Sequence, residues 1–367
     1  MKKICVITGS RADYGLMKPM MRLIDAHKDM HLSIITCGMH HSEEHGDTYK
    51  EVERDFPTAF VPRMWSNEDY GENLPGGFKM GGQLADMVHD ISHIIECYIA
   101  PDLVIVLGDR TEAFAGAIAG LFCKCIVCHI HGGDVCRGYD NYMRGSITCI
   151  SHVHFVATER SGDNVWAMKR AQGYWDEYYV YNVGAPGLDG IAKKYECVKN
   201  ENVALVLYHP LATDYDNSGE EFVEIVEALA ELGLSINVIY PNNDAGSHKI
   251  IMEIKGITHS NYVNLPRDEF LRHLSSATVL VGNSSCGLIE APALRTPTVN
   301  IGIRQEGRER GASVIDCPPE RGAIKEAVKM ALAVTDFSSP YGEPGASRRI
   351  VDILQDLDVE KIRREMR

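Results

Sequence analysis

The chain holds 367 residues, 51 of them acidic and 37 basic. That length suits two ordinary domains, and the net charge of −14 argues against nucleic acid, whose phosphates call for a basic face. Hydrophobic residues make up 45%, enough for a full core, while no apolar run approaches the ~20 residues of a membrane span.

Strands and helices alternate from the start. Residues 3–8 read as a strand, 14–26 as a helix with Leu16, Met20, Leu23 and Ile24 on one face, and 32–37 as a second strand followed by a helix from about Ser42. The acidic, Gly- and Pro-containing stretch 65–77 reads as a loop and a candidate lid. A long amphipathic helix over 78–99 follows, then the continuously apolar strand 103–107, typical of a central parallel strand. Helix 111–122, strand 125–129, helix 140–150, strand 153–157 and a helix from Glu159 complete a doubly wound half. Glycines and a proline break the pattern near 182–200. It then restarts with strand 203–208, helix 220–232, strand 236–240, helix 246–255, strand 261–264, helix 268–275 and strand 278–281. Helices over 320–334 and from 347 close the chain, and the fold class is α/β with two Rossmann-like domains.

The cysteines lie mostly inside apolar stretches (Cys5, Cys37, Cys125, Cys128, Cys317), where thiols act as small hydrophobes. The apolar run in MKKICVITGS is too short for a signal peptide, so a reduced, cytoplasmic protein is expected. The run CKCIVCHIH offers Cys123, Cys125, Cys128, His129 and His131. Strand alternation sends these to both faces and no second Cys-x2-Cys closes a tetrahedron, so no metal is expected.

Ligands of such sheets bind beyond the carboxyl ends of the strands, where this chain is unusually polar. Thr8-Gly9-Ser10-Arg11-Ala12-Asp13 offers a glycine for close approach, an arginine for phosphate and an aspartate to cap the next helix. Asp109, the HGGD turn with His131 and Asp134, and His209 also fall at strand ends, where acids and bases are commonly tuned. The stretch 279–311 carries the most. Asn283-Ser284-Ser285 meets the start of a helix, whose free N–H groups and dipole favour an anion. Glu290 follows as an acceptor for a diol such as ribose, and Arg304, Arg308 and Arg310 return toward the phosphate position. Together they point to a nucleotide or nucleotide-sugar site.

TGSRADYG, GMHHSEEHGDT, LGDRTEA, HIHGGD, YHP, YPNNDAGS, NSSCGLIEA and RQEGRERG, in that order, resemble the UDP-N-acetylglucosamine 2-epimerases, most closely the hydrolysing branch that feeds nonulosonic-acid synthesis. The resemblance implies a GT-B-like fold with the nucleotide sugar in a cleft. It implies domains over 1–185 and 186–346, with 347–367 packing back on the first. It also implies UDP binding by Gly9, Arg11, Ser284, Ser285, Gly287, Arg304 and Arg308, with Glu290 on the ribose and Pro241, Asn243 and Asp244 lining the second domain. Asp109 and His209 match the family's catalytic pair, and Asp140, four residues before Arg144, aligns with a second acid. Where the family pattern reads HIEGGE this chain reads HIHGGD, so a family acid falls on His131, and Gly145 replaces a histidine. The acid/base inventory becomes Asp109, His131, Asp134, Asp140 and His209. The implied reaction uses no cofactor: a base takes the C2 proton as UDP leaves, and water adds to the glucal. The partners expected are a UDP-sugar and further copies of the chain, as homodimer or homotetramer, with no nucleic acid and no membrane. The rival expectations are the non-hydrolysing branch and a nucleotide-sugar-binding regulatory module without turnover.

Overall fold

The computed structural model describes residues 1–43, 46–57, 76–173, 179–191, 199–200, 202–211, 215–242, 244, 246–256 and 260–366. Asn243 and all of the candidate lid before Gly76 lie outside them.

The chain forms two compact units, the first made of Met1–Asp134, Asp140–Asp189 and Gly345–Arg367, the second of Val135–Tyr139 and Gly190–Pro344. In the first, β1 (Lys2–Thr8), α1 (Arg11–Asp25), β2 (Met30–Thr36), α2 (Tyr49–Asp55), α3 (Gly76–Ile94), β3 (Leu103–Leu107), α4 (Thr111–Phe122), β4 (Ile126–Ile130), α5 (Tyr139–Ile150), β5 (Val153–Val156), α6 (Glu159–Ala171) and β6 (Tyr179–Asn182) follow one another. The sheet is parallel throughout, in the order β2-β1-β3-β4-β5-β6. Period-2 alternation decides its two faces. Ile4, Val6, Ile105 and Cys128 point to one face, with Tyr14, Met17 and Met21 of α1. Cys5, Ile7, Val104 and Val127 point to the other, under α3 and α4.

The second unit contains β7 (Val203–Leu207), α7 (Ser218–Glu231), β8 (Ser235–Ile239), α8 (Ser247–Gly256), β9 (Ser260–Tyr262), α9 (Arg267–Ser276), β10 (Val279–Gly282), α10 (Cys286–Ala293), β11 (Thr298–Ile301), β12 (Val314–Cys317) and α11 (Arg321–Leu332). Its parallel sheet runs β12-β11-β10-β7-β8-β9, which is the Rossmann order counted from β7. The strand order therefore reverses between β1 and β3 in the first sheet and between β7 and β10 in the second. Crevices for ligands open at such switch points. The loops they bring forward are Gly9–Arg11 with Gly108–Arg110, and His209 with Asn283–Ser285.

Several elements differ from their sequence reading. Where a helix from about Ser42 is expected, the described residues show a 3-10 turn (Gly38–His41) after β2 and an α-helix, α2, from Tyr49. The edge strands β6 and β12 escaped notice because they are short and half-exposed, so neither an apolar run nor clean alternation marks them. Helix α1 begins at Arg11 and is capped by Ser10, whose Oγ accepts the Asp13 N–H. Asp13 instead ties the turn from inside, accepting the Gly9 N–H at 2.9 Å and the Thr8 hydroxyl at 3.1 Å.

Helices α12 (Ala346–Asp356) and α13 (Val359–Glu365) complete the first unit. Ile350, Val351, Leu354 and Ile362 join the core face that α1 covers, and Lys2 Nζ bonds the Leu354 carbonyl at 2.9 Å. The start of α12 is held by Asp189, whose carboxylate accepts the Gly345 N–H, the Ala346 N–H at 3.1 Å and the Ser347 N–H at 2.6 Å. These are donors that a helix cannot satisfy itself. Asp189→Ala is expected to lower the unfolding free energy by about 1–2 kcal/mol, the usual worth of an N-terminal cap. An unchanged urea midpoint would refute that assignment. No helix among the described residues is long and apolar enough to cross a membrane.

Candidate active site

In the first unit the acid/base candidates sit on the loops after β3 and β4. Gly108 is left-handed (φ +76) and turns the chain so that Asp109 leaves the strand end, where its carboxylate pairs with the buried Arg144 of α5. Asp140 stands in the first turn of the same helix, half-buried. The HGGD turn is tight. His131 holds a left-handed backbone (φ +61), uncommon for a side chain of its size, and a Cβ on Gly133 would come within 2.1 Å of the Ser161 carbonyl. His131 Nδ1 stands 3.5 Å from Asp134 Oδ2, while Asp134 Oδ1 accepts the Ser161 hydroxyl at 2.5 Å. Both side chains of this dyad are buried, so a charge on one is felt by the other with little screening.

Gly9 allows a different close approach from the one expected. A Cβ there would lie 2.4 Å from Glu112 Cγ, so the glycine makes room for a buried carboxylate that Arg110 neutralises at 3.3 Å. Arg11 donates through Nε to Glu51 at 2.8 Å. Glu112 and Arg144 are site neighbours beyond the residues expected from the sequence. The spacing of Arg144 one turn after Asp140 was the available signal.

The described part of CKCIVCHIH is split by the sheet: Cys125 faces the α3–α4 side and Cys128 the α1 side. Burial pushes the Cys125 thiol up to about 12. No group of three His, Cys, Asp or Glu side chains among the described residues is placed to hold a metal ion.

In the second unit Asn283 is the hub. Its side chain accepts the His209 N–H and donates to the His209 carbonyl, both at 2.8 Å, and its own carbonyl accepts Gln305 Nε2 at 2.9 Å and Arg304 Nη1 at 3.3 Å. The loops after β7, β10 and β11 are thereby fastened at one point. His209 Nδ1 accepts the Asn242 N–H at 3.3 Å, so the neutral ring carries its proton on Nε2 and offers a donor there. Ser285 precedes α10 without a side-chain cap bond, and Ser284 Oγ makes only a 3.5 Å contact to the Cys286 N–H. Glu290 is buried and salt-bridged to Arg267 Nη1 at 2.8 Å, a partner not foreseen. Asp244 accepts the Ser247 N–H through its carbonyl just before α8.

Gly287 is a packing glycine: a Cβ would stand 2.6 Å from Thr298 Cγ2, and its N–H already bonds the Ser284 carbonyl at 3.1 Å. Its missing side chain brings α10 close to β11. Arg310 pairs with Asp316 and donates to the Gln305 and Arg308 carbonyls. Arg308 bonds Gln305 Oε1 at 3.5 Å and stacks over the buried Tyr341 ring, whose hydroxyl donates to the Glu309 carbonyl at 3.0 Å. The segment Val135–Tyr139, read as part of the first domain, groups with this unit, where Arg137 pairs with Glu306 at 2.6 Å.

The model of the UDP-N-acetylglucosamine 2-epimerase family matches residues 22–355. The chain belongs to that family. The UDP-N-acetylglucosamine 2-epimerase of Neisseria meningitidis serogroup B is 33% identical over 92% of this chain and 90% of its own length. The hydrolysing UDP-N,N'-diacetylbacillosamine 2-epimerase of Legionella pneumophila is 32% identical over 97% and 96%. Among solved structures, the Methanocaldococcus jannaschii UDP-GlcNAc 2-epimerase in complex with UDP-GlcNAc and UDP shares the fold, with a TM-score of 0.78 at 20% identity over 97% of this chain and all of that one. The 2-epimerase family thus meets a chain with the Asp109–Arg144 ion pair at one switch point and an Asn-Ser-Ser helix start at the other.

Proposed function

We propose that the chain is a hydrolysing 2-epimerase that converts UDP-N-acetylglucosamine, or a UDP-2,4-diacetamido-6-deoxy relative, to UDP and the free 2-epimeric sugar. The observation that carries the reading is the Asp109–Arg144 pair at the switch point of the first sheet, in a chain similar to a hydrolysing relative over nearly its whole length. A C2–H is weakly acidic, so its removal needs a carboxylate held at fixed distance, and the Arg144 guanidinium on Oδ2 fixes where that carboxylate stands. Asp109 takes the role of base, with Asp140 and the His131–Asp134 dyad supplying and returning protons as the glucal forms and water adds. In the second unit Ser284, Ser285, Arg304 and Arg308 take the diphosphate, and the Nε2–H of His209 donates to the leaving oxygen, where charge develops. Glu290, held by Arg267, takes the ribose hydroxyls. A homo-oligomer working in the cytoplasm without cofactor belongs to the same reading.

Relatives of comparable identity are named both with and without the hydrolysing qualifier, so retention of UDP on the epimerised sugar is the second reading. Proton NMR in deuterium oxide with UDP-N-acetylglucosamine separates the two. Free UDP with N-acetylmannosamine deuterated at C2 supports the first, and an intact UDP-sugar of inverted C2 supports the second. Turnover of neither this substrate nor the 2,4-diacetamido sugar overturns both. The nucleotide role of Glu290 has its own measurement: Glu290→Ala is expected to weaken UDP binding in calorimetry about 10-fold or more, the worth of a hydrogen bond to a charged acceptor. Unchanged affinity would remove Glu290 from the site.

A further inference from the structure

His129 lies on β4 between the strand-end loops, fully buried, and three elements meet on its ring. Its Nε2 stands 2.7 Å from the Gly108 carbonyl, an atom that only accepts, so Nε2 carries the proton and donates. Its Nδ1 is then an acceptor, 3.2 Å from the hydroxyl of Thr148 on α5. Gly132 of the HGGD turn closes over the pair. A Cβ there would be 2.8 Å from His129 Nδ1 and 3.1 Å from Thr148 Oγ1.

These contacts bear on the candidate base. Gly108 directly precedes Asp109, its left-handed backbone is fastened on the other side by an N–H bond to the Ile130 carbonyl at 2.9 Å, and the His129 bond fixes the plane of the peptide from which Asp109 departs. Thr148 lies one helical turn after Arg144, on the helix that brings the guanidinium to Asp109. One ring therefore holds the carboxylate's peptide, its arginine's helix and the HGGD turn. We propose that His129 is a positioning residue that fixes Asp109 and Arg144 against the HGGD turn through a single imidazole tautomer. It is not an acid or base itself, since its one proton is spent on a carbonyl. Burial, the largest influence, lowers its pKa to about 4 and keeps it neutral near pH 7. The proposal rests on the epimerase reading.

The test compares full-length wild type with His129→Leu, His129→Gln and Thr148→Val. Glutamine restores an N–H that reaches the Gly108 carbonyl, whereas leucine fills the space without a donor. In His129→Leu, kcat is expected to fall about 100-fold while KM stays within about twofold, as for a base displaced by a fraction of an ångström. His129→Gln should recover about tenfold of that loss, and Thr148→Val should show a smaller loss of the same kind. Amide exchange at Gly108 and Asp109 should accelerate in the leucine variant and return in the glutamine one. Wild-type kcat in His129→Leu, or a kcat loss that tracks the unfolded fraction without glutamine rescue, overturns the proposal. If wild type turns over no UDP-sugar, the epimerase reading fails on its own, and the exchange data still decide whether His129 holds the Gly108–Asp109 peptide.

Discussion

Asp109→Asn is expected to lower kcat by about three orders of magnitude, within the range that positioned acid–base groups contribute. The amide matches the carboxylate in shape, so packing survives while the base is lost. UDP affinity should stay at its wild-type value, because the proposed diphosphate and ribose contacts belong to the second unit. Stability should fall as well. The Arg144 side chain is only 5% exposed, and removing the charge that faces it costs about 3–5 kcal/mol by the usual measure of a broken buried pair. The double variant Asp109→Asn with Arg144→Met separates the effects: stability recovers, since no guanidinium is left facing an amide, and activity does not. Turnover within tenfold of wild type in a folded Asp109→Asn protein would assign the base elsewhere, with Asp140 next.

The second large effect is on acid stability. His40, His129, His152 and His154 are held neutral, chiefly by burial, which lowers His40 to about 3, His129 and His152 to about 4, and His154 well below the ordinary range. Beside burial, the positive Lys169 nearby adds to the depression at His154, against a weaker opposing contribution from the Ser151 backbone. Unfolding returns each ring to a pKa of about 6.5. Below that pH the unfolded chain binds more protons than the folded one, so the stability contributed by the neutral rings is whole above pH ~6.5 and is lost as the pH falls toward ~4. Each histidine contributes a slope of about 1.4 kcal/mol per pH unit, and the four together on the order of 5. Against a typical total stability of about 5–15 kcal/mol, unfolding is expected between pH ~6 and ~4. Urea midpoints measured at descending pH give the proton count directly. His154→Phe should reduce the slope by one proton and raise stability at pH 7. A midpoint flat from pH 7 to 5 would sink the account.

Much of this was legible in the chain. Parallel strands buried on both faces leave continuous apolar runs, which marks 103–107 to the residue, and the polar turn at its end marks where helix 111–122 begins. The helix start at Asn283–Ser285 was visible for the same reason: its signal is local. The partners were not visible, because an ion pair leaves no mark at its own position in the sequence. Arg267 reaches Glu290 from α9, and Tyr341 reaches Arg308 from the far side of α11. The packing of Gly287 on the Thr298 methyl was equally hidden, because a glycine at a helix start carries no mark of the strand it meets.

The clamp of Asp189 on the first turn of α12 bears on how the protein is made. One face of the first sheet is sealed by residues after Gly345, down to a bond between Lys2 and the Leu354 carbonyl at a sequence separation of 352. On the ribosome, β1 to β6 emerge first, yet Ile4, Val6, Leu32 and Ile105 stay without α12 until the whole second unit has been synthesised. The first unit to be translated is thus the last to close. Its nascent form leaves the part of that face beyond α1 uncovered for as long as the second unit takes to appear, and contacts this distant in sequence are slow to form. Chaperone demand should therefore centre on the amino-terminal half, and a chain stopped at Pro344 should keep a folded second unit beside an aggregation-prone first.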